Sequence, residues 1–422
     1  MKVLVIGEGG REHAICWKLA QSSKVKKIYC APGNAGIAEI ANQLAISSDN
    51  HTKIIETCKK LRIDLVVIGP EGPLVAGLAD QLQHNGIKTF GPKAAAAAIE
   101  GSKIFMKELL QEYKIPTAAF RRFHNPDAAK KYIAAHGAPL VVKADGLAGG
   151  KGVLVCHTER DAHIAIEQIM IQSTFGNAGN EIIIENLLIG EEISFFALVD
   201  GHDAVPMASA QDHKTVLEGD KGLNTGGMGA YSPALIADQG MVERIMNDII
   251  KPVARALVLK KRAYQGVLFA GLMVEKDGPK VIEFNCRFGD PECQVLMSRL
   301  KTDVVDVFLA TIESRLHSLR LEWDERAALT VIMASKGYPG TYKKNTIIKG
   351  LTSAKALNDL NIFHSGTRID GDGQLYASGG RVLGITGTGA TIKEAQVKAY
   401  QGVDEIDWPN GFCRRDIGWR AT

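Results

Sequence analysis

The sequence predicts an α/β protein of three units: a parallel α/β unit at the N-terminus, a two-part α+β unit in the middle and an α+β unit at the C-terminus. Three observations predict it. Short apolar strands alternate with helical segments over the first hundred residues. The rhythm changes from about residue 102, and strands with glycine turns resume after "WDERAAL". The expected boundaries are 1–101, 102–322 and 323–422.

In the first unit the strands are "KVLVI", "KKIYCAP", "IDLVVIGP" and "KTFGP". Helices over "REHAICWKLAQ", "NHTKIIETCKKL" and "GLADQLQHN" separate them, which is the rhythm of a parallel sheet. The turns "IGEGG", "APGNAG" and "IGPEGPL" fall at carboxyl ends of strands, where open α/β sheets bind ligands. "AAAAA" at 94–98 reads as a helix start. The middle unit opens with helices over "KIFMKELLQEY" and "DAAKKYIAAH". A strand "APLVVKADG", a loop "LAGGKG" and a strand "VLVCH" follow, and the stretch closes near "NEIIIENLLIGEEISFFALVDG". A polar loop over 211–232 then precedes a long helix and the hairpin "GVLFAGLMVEKDGPKVIEFNCRF", whose "KDGP" is a turn signal between apolar runs.

Composition narrows the function classes. Apolar residues make up 45% and charged residues 23% of the 422, as in a globular chain with several cores. A net charge of +3 gives no electrostatic case for nucleic acid or a membrane. Seven scattered cysteines without a CxxC pair read as reduced thiols, and the eleven histidines form no HExxH group. Arg11, Glu12 and His13 interrupt the first apolar run, so it does not read as a secretory signal. No stretch reaches the ~20 apolar residues of a membrane helix, and a cytoplasmic location is expected.

"GEGGREH" at 7–13 invites a dinucleotide reading and fails it twice. The third glycine of GxGxxG is replaced by Glu12, and the second strand ends in "CAPGNAG" without an acid for a ribose. A helix N-terminus with free N–H groups still suits phosphate. The alternative is a tight turn that glycine merely permits.

"DGLAGGKGV" carries Gly146, Gly149, Gly150 and Gly152 around Lys151. A Walker loop would continue with Ser or Thr and a helix; here Gly152 and a strand follow. The reading is a strand–loop–strand flap able to close over phosphates, against the alternative of a flexible hairpin turn. Lys143 stands on the incoming strand with Val141 and Asp145 on the same face. In "EFNCRFGDPE", alternation sets Glu283, Asn285 and Arg287 on one face and Ile282, Phe284 and Cys286 on the other. A carboxylate and an amide oxygen two residues apart can ligate a hard cation, and Arg287 suits a phosphoryl oxygen. The alternative is a half-exposed strand with a polar face. That alternative leaves Asp290 beside the group without a reason.

These pieces resemble the ATP-grasp superfamily. The series "GGREH", "PGNAG", "GPEGPLVAG", "KADGLAGGKGV", "QDHKTVLEGDKGLNTGGMGAYSP", "EFNCRFGDPE" and "SGGRVLGITG" resembles one family in it, the phosphoribosylamine–glycine ligases (glycinamide ribonucleotide synthetases), from Met1 to the terminal "RRDIGWRA". The resemblance implies an N-terminal pre-ATP-grasp domain, a two-part ATP-grasp domain with about 120–190 as a mobile lid, and a C-terminal α+β domain. It implies that ATP phosphorylates the glycine carboxylate and that 5-phosphoribosylamine attacks the acyl phosphate. Lys103, Lys143 and Lys151, with Gly149, Gly150 and Gly152, would meet ATP phosphates. Glu185, Asn186 and Leu188 would meet adenine, and Glu192 the ribose. Glu283 and Asn285 would hold Mg²⁺, or Mn²⁺, while Arg287 and Asp290 orient the acyl phosphate and glycine. Asp212, His213, Lys214, Thr225 and Gly227 would form a substrate wall, with Asp212 and Lys214 catalytic. Gly9, Gly10, Arg11, Asn34 and Glu71 would receive phosphoribosylamine, with Asp145 near its ribose or amine. The implied partners are small molecules, and the implied state is a monomer.

The sequence departs from the family pattern in three places. Glu8 stands where relatives carry a small or amide residue, and Gly149 where alanine is expected. "FAGLMV" offers no second metal acid before Glu275. Two rivals stay open at this point: an ATP-grasp ligase for another acid and amine, and a nucleotide sensor without turnover. The metal pair and three lysines speak against the sensor.

Overall fold

The computed structural model describes residues 1–148 and 152–422. Five parallel strands form the N-terminal sheet in the order Asn42–Gln43, Lys27–Pro32, Lys2–Gly7, Leu65–Ile68 and Thr89–Phe90. The central run "VLVI" is apolar throughout because both faces are covered. Leu4 and Ile6 pack into one core with Leu74, Leu78 and Leu82, whereas Val3 and Val5 pack into another with Ile15 and Leu19.

The middle of the chain builds two antiparallel sheets. One runs Phe120–Phe123, Ile182–Asn186, Leu140–Ala144 and Val153–Cys156. Helices Pro126–His136 and Glu159–Ile166 pack on it around a small core of its own, which includes Ile133, Leu140, Val142 and Ile166. The other runs Ala204–Pro206, Glu191–Asp200, Gln265–Glu275 and Gly278–Asn285, with the expected turn between the last two strands. Its register carries one irregularity: Gly271 pairs with Glu283 and Leu272 with Val281, so Ile282 is the extra residue of a bulge. Alternation through 282 therefore breaks.

The third sheet departs from the expected layout. Its order is Gln211–Asp212, Gly229–Ser232, Ala327–Ser335, Arg381–Gly389 and Leu360–His364, with Gly411–Phe412 added to Ala327–Ser335. Residues 211–232 are thus not a plain loop. Their two ends are strands of the C-terminal sheet, and Thr215–Leu217 with Lys221–Asn224 form a hairpin between them. Glycine and charge dominate the stretch, which hid strands only two to four residues long. A bridge between Ser194 and Ala210 joins this sheet to the preceding one.

The N- and C-terminal units meet at two buried histidines. The His364 N–H donates to His13 Nδ1 at 2.8 Å, and His364 Nδ1 lies 3.1 Å from Thr367 Oγ1. Burial holds both rings neutral, with His364 at about 3 and His13 well below its usual range. His213 sits at about 4, first through burial and then through Arg414 and Arg420.

Histidines of the unfolded chain titrate near 6.5. Their contribution to stability is intact above that pH and is lost as pH falls, because the unfolded state takes up protons the folded state refuses. Each histidine should remove ~1.4 kcal/mol per pH unit below 6.5. Urea unfolding between pH 7.5 and 5 should show this decline, and His364→Asn should flatten it. An unchanged slope in that variant would contradict the assignment.

Candidate active site

Two adjoining cavities, of about 440 and 350 Å³, lie where the sheets converge. Val153, Asp212, Lys214, Thr225 and Glu283 line both. The larger is also lined by Arg11, Glu71, Lys103, Gly152, Asn285, Arg287 and Asp290. The smaller adds Lys143, Glu185, Asn186, Leu188, Glu192, Met273 and Ile282.

Arg287 is the fixed point of the larger cavity. Its Nε donates to Glu71 Oε2 and its Nη2 to Glu100 Oε1, each at 3.0 Å, and Nη1 reaches Phe288 O at 3.3 Å. Burial works against its charge, but Glu100 and Glu71 hold the guanidinium above its ordinary range. Burial likewise opposes the Glu71 carboxylate, yet Arg287 and Arg11 bring it down to about 2. Glu100 also accepts the Cys286 N–H at 2.6 Å, fixing the backbone just past Asn285. Arg11 completes the group, with Nη1 on Phe288 O at 2.7 Å and Nε on Glu12 at 2.8 Å.

Asp290 is gripped from the C-terminal sheet. Arg381 Nη1 donates to Asp290 O at 2.5 Å and to the carbonyls of Gly226 and Gly227, and its Nη2 lies 3.7 Å from Asp290 Oδ2. Gln294 Nε2 donates to Asp290 Oδ1 at 2.8 Å. Burial opposes ionisation of Asp290, while Arg381 and Arg11 pull it below the usual carboxylate range. Gly227 has φ +108°, and a Cβ there would stand 2.5 Å from the Pro291 ring, so the loop closes only with glycine.

The smaller cavity has a buried cation floor. Lys107 is fully buried and donates to Thr117 Oγ1, Ala118 O and Glu185 Oε2 at 2.7, 2.9 and 3.1 Å. Lys143 Nζ lies 2.9 Å from Glu185 Oε1 and donates to Ile282 O at 3.0 Å. One carboxylate thus faces two ammonium groups. Burial lowers Lys107 to about 8 against the pull of Glu185. Lys103 donates to Gly146 O at 2.9 Å. At the join of the cavities Lys214 pairs with Glu192 and lies 3.6 Å from Glu283. Burial pushes Asp212 up, and Glu292, Glu192 and Glu283 add to that against Lys214.

Not every expected residue reaches a cavity. Gly9, Gly10, Asn34, Asp145, His213 and Gly227 line neither. The turn at 7–13 is occupied by the chain itself: the Gly9 N–H donates to Glu12 Oε2 at 2.6 Å and the Arg11 N–H to Asp290 Oδ2 at 3.3 Å. Glu12 fills the space beside Gly7 and Gly69, where a Cβ would meet it at 2.6 and 2.0 Å. That explains an acid in place of the third glycine, and it leaves Arg11 as the group this turn offers. Glu8 is exposed. Asn34 is spent on Glu8 O, His364 O and the N–H groups of Gly36 and Ile37. Asp145 accepts from Ser102 Oγ and the Ile104 N–H at the start of the helix Lys103–Glu112, which Ser102 caps. His213 is buried, with Nε2 accepting the Gly418 N–H at 3.1 Å. Gly149, Gly150 and Lys151 lie outside the described residues.

Comparison with known proteins bears on this arrangement. Family models match the phosphoribosylglycinamide synthetase N domain over 1–100, the ATP-grasp (A) domain over 101–293 and the C domain over 328–420. The chain belongs to the phosphoribosylglycinamide synthetase family. It is 52% identical to the phosphoribosylamine–glycine ligase of Brucella melitensis over 422 residues, covering 100% of this chain and 98% of that protein. It is 53% identical to that of Agrobacterium fabrum over 421 residues, covering 100% and 99%. The crystal structure of the ligase from Thermotoga maritima superposes with a TM-score of 0.85 at 30% identity, over 99% of this chain and 100% of that one.

Within this family fold, Glu100, Glu292, Lys107, Gln294 and Arg381 emerged only from the structure. Each is an ordinary charged or polar residue in its local sequence and gains its place from distant partners. Glu100→Gln leaves Arg287 with one of its two counter-charges, so the thermal midpoint should fall and kcat/KM should drop roughly 10- to 100-fold. Activity within about twofold of the unaltered chain, with an unchanged thermal midpoint, would show that Arg287 does not depend on Glu100.

Proposed function

We propose that the chain joins glycine to 5-phosphoribosylamine at the expense of ATP, giving glycinamide ribonucleotide, ADP and phosphate in purine biosynthesis. One observation carries the reading: a slot flanked by Asn186–Leu188 and by lysines adjoins, at Lys214 and Glu283, a cavity built around Arg287. A nucleotide in the first would deliver its terminal phosphate to an acid held in the second.

Adenine would lie along Asn186–Leu188 against Met273 and Ile282, which the bulge turns into the slot. Glu192 would meet the ribose, and Lys103, Lys143 and Lys151 the phosphates. Glu283 and Asn285 suit a hard cation. Both offer oxygen, and among the described residues the buried Asn285 amide nitrogen has no hydrogen-bond partner, so no hydrogen bond at that nitrogen fixes which way the amide faces. Mg²⁺ there, or Mn²⁺, would neutralise charge on the transferring phosphoryl group.

Arg287, already locked by two carboxylates, would present its remaining N–H edge to the glycine carboxylate with Asp290 beside it. Asp212, Lys214, Glu292 and Thr225 would close the wall where the glycine ammonium sits. Arg11 and Glu71 would face phosphoribosylamine. A glycine carboxylate oxygen attacks the γ-phosphorus and ADP leaves; the amine then attacks the acyl carbon and phosphate departs. No protein nucleophile is required, and the residues act through position and charge. The stretch 120–190, with its own core, would serve as the lid of the 102–322 unit, between units at 1–101 and 323–422. No described helix is long and apolar enough to cross a membrane. The working unit is taken as a monomer, as the sequence resemblance implies, in the cytoplasm.

A coupled ADP assay omitting each component in turn tests the reading. ADP should appear only with glycine, phosphoribosylamine and a divalent cation all present. Equal ADP release with other amino acids would remove the glycine assignment.

A further inference from the structure

The lid and the sheet that carries Glu283 do not line the nucleotide slot alone. It is also lined by the hairpin 215–224, through Thr215, Asp220 and Asn224, and by Arg420 near the chain end. The hairpin is poorly supported on its own. Among the described residues its two strands pair only with each other, their register is irregular, and Lys221–Asn224 is exposed throughout. Something else must fix its position.

The C-terminal segment 414–420 does so. Arg414 is 1% exposed, and its Nη1 donates to Thr215 O and Oγ1 at 3.1 and 3.0 Å. Its Nη2 donates to Asp220 Oδ1 at 3.1 Å, and Nε and Nη2 both hold Asp416 at 2.8 Å. Asp416 accepts the Gly219 N–H at 2.8 Å, and the Arg415 N–H donates to Glu218 at 3.0 Å. The segment is anchored in turn through Tyr400, whose hydroxyl donates to Arg414 O, and through Gln396, which donates to Ile417 O. Arg420 donates one Nη to Asp220, and its side chain lines both the slot and the recess beside Glu192.

We infer that this C-terminal segment is a working wall of the nucleotide site, with Arg420 a nucleotide-binding residue and Arg414 the positioning residue that holds the hairpin over the slot. The inference rests on the nucleotide occupying the slot as proposed above. The chemistry favours it: around Val155, Leu188, Met273 and Ile282 the slot is apolar, and a guanidinium with one edge committed to Asp220 keeps donors for the ribose side of a nucleoside triphosphate.

Arg420→Met removes the charge at a partly exposed site and keeps the hairpin ties of Arg414. It should raise KM for ATP, and weaken ADP binding by titration calorimetry, roughly five- to tenfold. KM for glycine should stay unchanged, and Arg420→Lys should recover part of the loss. Arg414→Lys, which cannot fork to Thr215 and Asp220 together, should show the same ATP-selective rise with a lower thermal midpoint. Unchanged ADP affinity in Arg420→Met would overturn the inference, as would an equal rise in every KM. Failure of the unaltered chain to release ADP with glycine would instead sink the functional reading. The ADP titration decides the wall role independently of that result.

Discussion

The pairing of Arg287 with Glu71 and Glu100 is the constraint on which the rest of the site depends. A buried guanidinium without counter-charges would be far too costly, and two carboxylates from different elements make it tenable. The consequence is geometric. Glu71 opens a short helix of the N-terminal unit, Glu100 ends the helix Ala94–Gly101, and Arg287 follows the strand Gly278–Asn285. One charge cluster therefore sets the angle between the first sheet and the strand carrying Glu283 and Asn285. Burial raises Glu100 while Arg287 opposes it, so the carboxylate and the guanidinium hold each other's charge state.

The same logic recurs at the other walls. Glu185 balances Lys107 and Lys143 beneath the slot, and Lys214 is balanced by Glu192 and Glu283 at the join. In each case the protein supplies a charge and its partner before any ligand arrives. A polyanionic nucleotide and a metal would then exchange partners with groups already oriented, which would spare reorganisation at the moment of reaction. The C-terminal sheet takes part in this rather than standing apart. It contributes Asp212, grips Asp290 through Arg381 and carries the segment that pins the 215–224 hairpin.

Sequence patterns revealed the local parts of this design and missed the distant ones. The parallel sheet, the "KDGP" hairpin and the polar residues of "EFNCRFGDPE" follow from short-range periodicity, and each is present. The bulge at Ile282 was not legible, because alternation carries no mark of an extra residue until the partner strand is known. Glu71 and Glu100 lie 216 and 187 positions from Arg287, and nothing in their own neighbourhoods announces that pairing. The turn at 7–13 was legible only in part. Its glycines read as space for a phosphate, whereas Gly7 and Gly69 make room for the side chain of Glu12. The strands in 211–232 were too short and too polar to separate from loop.

The central claim is that glycine is activated as an acyl phosphate in the cavity around Arg287. Glycine labelled with ¹⁸O in both carboxylate oxygens, turned over with ATP and phosphoribosylamine, tests this through the isotopic mass of the released phosphate. One ¹⁸O is expected in each phosphate and one in the product amide. Phosphate without ¹⁸O, released at the rate of product formation, would contradict it.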